Sequence, residues 1–428
     1  MTEHLDKSRL PHVTLTDGAQ CLKRIAFLAE VRNRALKPLE DPTSSAYSVR
    51  FDKLLYLNDI NFNPIDAANL LFSTNIGKDG RTQYRAACAV DFINPFKFYD
   101  TFATRDLEGY SMGLPFYPWF TSSGRADSRQ DVLNQRDAVR VRSCWGGMVA
   151  FEAKWFQTDA YNDIETTNAS VEHSLAAIAS QEETAPTSSH LDSAHKKSST
   201  LAMSTPTSID YHPEVDANMN WGLANPVALG SIPVTSTSKH VAQEGNLNWH
   251  LATSTPNPTE LSTRSGLKQA PLRFRAEADT YWDSSECCLI HADLQDTRDD
   301  ISASTGIYMN PYIRVAYDQQ TLNWLAFTRR FERLYSIIHG ILTPLVGLPG
   351  DNPRRTEEPG QTVSDRIWLH DDVDWMNTGN FSGRYQDVER IALPGGFCGG
   401  KKLLAIRETG DRLDGPSFYG ENPPEDVQ

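Results

Sequence analysis

Acids close two apolar runs in this chain, and a third run is flanked by an acid, a histidine and another acid. Leu54-Leu55-Tyr56-Leu57 gives way to Asn58-Asp59, YRAACAVDF (Tyr84–Phe92) carries Asp91 near its end, and SSECCLIHADLQ sets Glu286 before an apolar run and His291-Ala-Asp293 after it. Short apolar runs bounded by polar and turn residues read as strands buried on both faces of an α/β sheet. Ligands of such sheets sit just past the carboxyl ends of the strands. A carboxylate there suits a hard divalent cation holding a diphosphate, and Glu286, His291 and Asp293 could complete a metal and base constellation with Asp59. The plainer alternatives are that Asn58-Asp59 opens a turn and that His291 is structural.

Thr16–Gln20 reads as a helix start, with Asp17 as N-cap and Gln20 reaching back. The helix that follows places Leu22, Ile25, Ala26, Ala29 and Leu36 on one face and ends at Pro38. Asn33 falls within that apolar face and Arg32 at its edge. Asn33 either braces a neighbouring loop or points at a polar ligand, and the adjacent guanidinium suits diphosphate oxygens. Pro64–Phe72 reads as a short helix. The aromatic stretch FYDTFATRDLEGYSMGLPFYPWF fits either a stacking pocket or a packed hydrophobic loop.

In VRVRSCWGGMVAF the glycines Gly146 and Gly147 allow a tight turn or a close approach to a ligand, and Trp145 offers a flat face to a sugar ring. A bulge with a core tryptophan explains the motif equally well. Gly306–Tyr317 reads as two strands around an Asn-Pro turn, Leu322–Leu342 as one long amphipathic helix, and IALPGGFCGGKKLLAI as a late turn and strand.

The 428 residues are 39% hydrophobic, enough for a sizeable core, and carry a net charge of −14. That balance, with no basic cluster, disfavours nucleic acid and anionic membrane as partners. No run is long and apolar enough to span a bilayer. The six cysteines have no zinc spacing and read as small buried hydrophobes, with a bridge or two permitted in an oxidising lumen. From 157 to 270 the chain is Ser/Thr-rich and aperiodic, which predicts a disordered insertion with a helix at Val171–Ser180. The organisation expected is 1–156 and 271–350 as two parts of one catalytic domain, separated by that insertion, with 351–428 as a C-terminal extension.

Three blocks, in order, resemble the fungal mannosyltransferases of glycosyltransferase family 69, the family of the cryptococcal α-1,3-mannosyltransferase and capsule-associated proteins. They are Ala26–Arg34 with LLYLNDINFNP; ACAVDFINPFKFYDTFATRDLEGY through VRVRSCWGGMVAFEAKWF; and LRFRAEADTYWDSSECCLIHADL with GIYMNPYIRVAY. The resemblance implies an α/β fold of GT-A type, a mixed sheet flanked by helices. It implies α-1,3 transfer of mannose, with retention, from GDP-mannose to a hydroxyl of a mannoside glycan, helped by Mn²⁺ or another divalent cation. Carried onto this chain, Arg32, Asn33, Asn58, Asp59 and Asp91 bind the donor. Glu286 and Asp91 are catalytic, Asp59 and His291 hold the metal, and Cys144, Trp145, Gly146 and Gly147 meet the acceptor. Family members are Golgi proteins with an N-terminal anchor. That anchor is expected to be missing here together with an earlier nucleotide-binding strand, since only about twenty residues precede the Arg-Asn helix. A non-catalytic scaffold and a hydrolase built on Asp59, His291 and Asp293 are the competing readings.

Overall fold

The computed structural model describes residues 5–157, 271–296, 305–370, 383–407 and 417–424. Of the insertion expected at 157–270, residues 158–270, including the Val171–Ser180 helix, lie outside the described residues.

The elements in chain order begin with β1 (His12–Thr14), β2 (Gln20–Lys23), α1 (Arg24–Leu36), β3 (Lys53–Leu57), α2 (Pro64–Ser73), β4 (Ala86–Asn94), β5 (Lys97–Phe98) and β6 (Arg105–Asp106). Next come α3 (Asp127–Leu133), β7 (Val139–Ser143), β8 (Met148–Glu152), β9 (Trp282–Ser284), α4 (Glu286–Asp296), β10 (Ile307–Ala316), α5 (Gln319–Thr328) and α6 (Tyr335–Leu345). Strands β11 (Thr362–His370), β12 (Gly383–Ile391), β13 (Gly399–Lys401), β14 (Leu403–Arg407) and β15 (Ser417–Glu421) complete the list.

A seven-stranded mixed sheet in the order β3-β8-β4-β10-β7-β6, with β5 beside β4, forms the centre. Only β4 and β10 run parallel; the other neighbours are antiparallel. Strands β4 and β8 are buried on both faces. Ala86, Cys88, Val90 and Phe92 join the larger core with α1 and α4, and Ala87 and Ala89 join the smaller one against Leu70 of α2. The expectation that Lys53–Leu57 is a doubly buried strand is corrected: β3 is an edge strand, only half-buried. Leu54 and Tyr56 touch one core and Leu55 the other, so three apolar neighbours reflect two partly covered faces. Even so, β3 runs in the same sense as β4 and β10, so their carboxyl ends share one edge of the sheet.

Several local expectations are also corrected. Thr16–Gln20 is not a helix cap but the turn of the β1–β2 hairpin, in which Asp17 accepts the Ala19 N–H (2.9 Å). SSECCLIHADLQ is not a strand but the helix α4; nearly all of its side chains are buried, which hides the 3.6-residue period. Gly306–Tyr317 is a single strand, whose register slips between Met309 and Arg314 to absorb Asn310-Pro311. Leu322–Leu342 is two helices, broken at Arg329–Leu334.

The late residues are built into the fold rather than appended to it. β14 pairs with β2, Cys398 is bonded to Cys288, and the buried Arg105 guanidinium donates to the carbonyls of Phe397 (2.9 Å) and Cys398 (2.8 Å). Those same bonds make the aromatic stretch a packed loop and not an open stacking pocket, with Tyr117, Trp119 and Phe120 all buried.

Candidate active site

Arg32, on α1, places its guanidinium carbon over the ring of Trp145, 4.3 Å from the ring centroid. Its Nε donates to Glu286 Oε1 (3.0 Å) and one Nη to Asn58 Oδ1 (3.3 Å). Four residues that the sequence singles out separately, from α1, the end of β3, the β7–β8 connection and the start of α4, therefore meet at one point. Glu286 is buried and Arg32 nearly so, which makes this ion pair one that needs both partners. Asp59, the next residue after Asn58, is exposed.

Asn33 takes the bracing alternative. Its amide gives and receives a bond with the backbone of Phe274, both 2.8 Å, so both ends of that amide are engaged. Trp145 is buried, packed against Tyr56, Phe151 and Phe274 and covered by Arg32, so its face is not open to a sugar. Cys144 is likewise unavailable as a thiol, being disulfide-bonded to Cys88. Gly146 and Gly147 both have positive φ (59° and 67°), and a Cβ on Gly146 would lie 2.1 Å from the Ala89 carbonyl oxygen. The connection therefore crosses directly over β4, where only glycine fits.

That crossing places the Gly146 N–H on Asp100 Oδ2 (3.1 Å), while the Asp100 N–H donates to Asp91 Oδ1 (3.0 Å). The hydroxyl of Tyr317, just past β10, donates to Asp91 Oδ2 (2.8 Å). Asp91 is fully buried, and burial first, then the Asp100 charge, raises its pKa to about 7. Burial also raises Asp100, against the Gly146 and Ala103 N–H groups, which hold it down. Two adjacent acids under such conditions titrate as a pair. Sequence reasoning gave no role to Asp100 or Tyr317. Tyr317 could have been found by the same strand-end rule that found Asp59; Asp100 follows a two-residue strand that no period marks.

His291 is completely buried. Its Nδ1–H donates to the Cys287 carbonyl (2.6 Å), its ring packs 5.3 Å from that of Phe151, and burial holds its pKa down to about 4. An imidazole nitrogen of His291 and the sulfurs of Cys88 and Cys144 lie within 4.8 Å of one another. The sulfurs are joined to each other and are not thiolates. Among the described residues that is the one such cluster, and it does not contain Asp59. His291, buried beside the Cys88–Cys144 disulfide, does not fit a hard cation, whereas the Asp59 carboxylate is exposed. A small divalent ion is commonly held by one or two carboxylates plus substrate phosphates. Asp293 is committed elsewhere, in a two-pronged pair with Arg275 (2.8 and 2.9 Å).

A family model described as cryptococcal mannosyltransferase 1 matches residues 1–293. The chain belongs to that family. All the residues just described except Tyr317 fall within the matched span, and the family is one of mannosyltransferases, hence of glycosyltransferases. A sugar donor and a glycan acceptor are thus the general partners of such a site. No curated protein and no solved structure matches the chain. No helix of the described residues is long and apolar enough to cross a membrane.

Proposed function

We propose that this chain transfers mannose from GDP-mannose to a hydroxyl of an α-mannoside glycan, forming an α-1,3 linkage with retention, in a GT-A-like site at the carboxyl edge of β3, β4 and β10. The observation that carries the reading is the convergence of Arg32, Asn58 and Glu286 beside the exposed Asp59.

Arg32 has five N–H donors, and the bonds to Glu286 and Asn58 use two. The remainder suit diphosphate oxygens, and the Trp145 ring backs the guanidinium. Asp59 would hold a divalent cation such as Mn²⁺ together with the donor phosphates, and the cation when bound would offset the charge of the departing diphosphate. Arg32 shares that charge. Glu286, hydrogen-bonded to Arg32, is the carboxylate assigned to the sugar side. Asp91 has both oxygens engaged inside the protein, so it acts as a positioning residue for Asp100 and Tyr317. In the transfer the anomeric carbon parts from the diphosphate oxygen and bonds to the acceptor oxygen, and the acceptor proton passes to the departing group. The pocket contributes chiefly by aligning that hydroxyl with the anomeric carbon.

The test is transfer from radiolabelled GDP-mannose to an α-mannobioside with Mn²⁺ present. The expected result is a lengthened glycan, lost on Asp59→Ala and on chelation. Transfer surviving both treatments would remove the metal from the account. Free mannose as the main product would indicate a hydrolase, and no turnover together with no nucleotide binding would indicate a scaffold.

A further inference from the structure

Helix α6 is packed with its polar side inward. The buried residues of α6 are His339 and Thr343. The His339 Nδ1 accepts from Arg129 (3.0 Å) and from the Thr343 hydroxyl (3.1 Å), and its Nε2–H donates to the Leu114 carbonyl (3.1 Å). The opposite side carries Ile337, Ile338, Ile341, Leu342 and Leu345, exposed by 70, 53, 60, 42 and 74%, with Leu334 just before the helix at 67%. At about 100° per residue these six side chains fall within an arc of roughly 140°, a single unbroken stripe. A water-facing helix normally shows the reverse arrangement.

The segment that precedes it in sequence carries further exposed apolar side chains. Trp324 and Phe327 of α5 and Phe331 after it are each about half exposed, with successive ring centroids 5.6 and 5.3 Å apart. Single exposed apolar residues need no explanation, but an unbroken run of this length marks an interaction surface.

The charges around it point to one kind of partner. Between residues 319 and 350 the sole acid is Glu332, and both of its oxygens are taken by Arg314 (3.0 and 2.7 Å). Arg330 and Arg333, by contrast, are exposed. An aliphatic ridge with tryptophan and phenylalanine beside it and arginines among them is the composition of a helix lying in a bilayer interface. At about 1.5 Å per residue α6 is far too short to span a hydrocarbon core of about 30 Å. Residues 319–350 thus carry three arginines against one acid, whereas the whole chain has a net charge of −14.

We propose that the α5–α6 segment is a membrane-surface docking element. In it the Leu334–Leu345 stripe sinks into the headgroup–acyl boundary, and Arg330 and Arg333 meet anionic lipid headgroups.

The experiment is flotation of the purified full chain with vesicles of phosphatidylcholine alone and of phosphatidylcholine mixed with phosphatidylserine. The chain is expected to float with both, and more strongly with the anionic mixture at low salt. The triple variant Ile337→Glu, Ile341→Glu, Leu345→Glu is expected to lose binding by about tenfold or more. Its thermal unfolding should be unchanged, since all three side chains face solvent. Arg330→Glu with Arg333→Glu should abolish the anionic increment alone. Failure of the wild type to float with either vesicle would overturn the proposal, as would equal flotation of the triple variant. A wild-type dimer that becomes monomeric in the triple variant, with no vesicle binding by either, would assign the stripe to a second copy of the chain instead.

Discussion

Replacing Asp91 by asparagine should make the protein more stable at alkaline pH and leave it little changed in acid. Asp91 is fully buried, with Oδ1 on the Asp100 N–H and Oδ2 on the Tyr317 hydroxyl. An asparagine can keep both contacts, its oxygen accepting from Asp100 and its amide donating to the tyrosine oxygen. It cannot ionise. The folded carboxyl titrates at about 7 against an ordinary 3.8. Below about pH 4 both folded and unfolded states hold the proton, and ionisation contributes nothing. Between about 4 and 7 the unfolded aspartate releases its proton while the folded one retains it, so stability falls as pH rises; above about 7 the loss is complete. Three pKa units at about 1.4 kcal/mol each set the scale at a few kcal/mol, on the order of 4 at most. Urea unfolding of wild type and Asp91→Asn at about pH 5, 6.5 and 8 reads this out. The difference between the two proteins is the diagnostic quantity, because Asp106, also raised by burial, to about 6, tilts the wild-type curve in the same direction. A difference that stays constant across the range, or an asparagine variant that loses stability toward pH 8, would refute the reasoning.

Arg32→Ala leaves Glu286 buried without its guanidinium, and chemical denaturation should register a loss of about 3–5 kcal/mol. Arg32→Ala combined with Glu286→Gln should recover much of that, because the uncompensated charge is gone. Gly146→Ala pushes a methyl into the Ala89 carbonyl oxygen, so soluble yield and unfolding temperature should both collapse, while Gly400→Ala, where nothing lies within 4 Å, should be silent in the same melt. Replacing Cys288 and Cys398 together by serine frees a link between residues 110 apart, and denaturant midpoints should fall by an amount equivalent to about 2–5 kcal/mol.

Much of the site was legible because acids at strand ends are legible. Asn58-Asp59, Asp91 and Glu286 stand at boundaries of apolar runs, and Arg32 is a cation at the edge of a helix face. Only the fold could say which of them meet. Asn33 and Arg32 are neighbours in sequence, yet one braces the Phe274 backbone while the other reaches Glu286. His291 read as a strand-end ligand because α4 is buried nearly all round, and an apolar run of that length does not separate helix from strand. The Trp145-Gly146-Gly147 motif was ambiguous for a related reason. Gly146 serves the passage over β4 and Trp145 serves Arg32, both contacts with residues distant in sequence. Periodicity also misled over Leu322–Leu342. An amphipathic pattern says that one face is apolar, not which face turns inward, and in α6 the inward residues are His339 and Thr343.

The most direct test of the donor site is calorimetric titration of the full chain with GDP-mannose and Mn²⁺, for wild type, Arg32→Ala and Asp59→Ala. Binding in the micromolar range for the wild type, weakened about tenfold or more in each variant, is the predicted result. Wild-type binding that both variants retain unchanged would place the donor elsewhere and contradict the account.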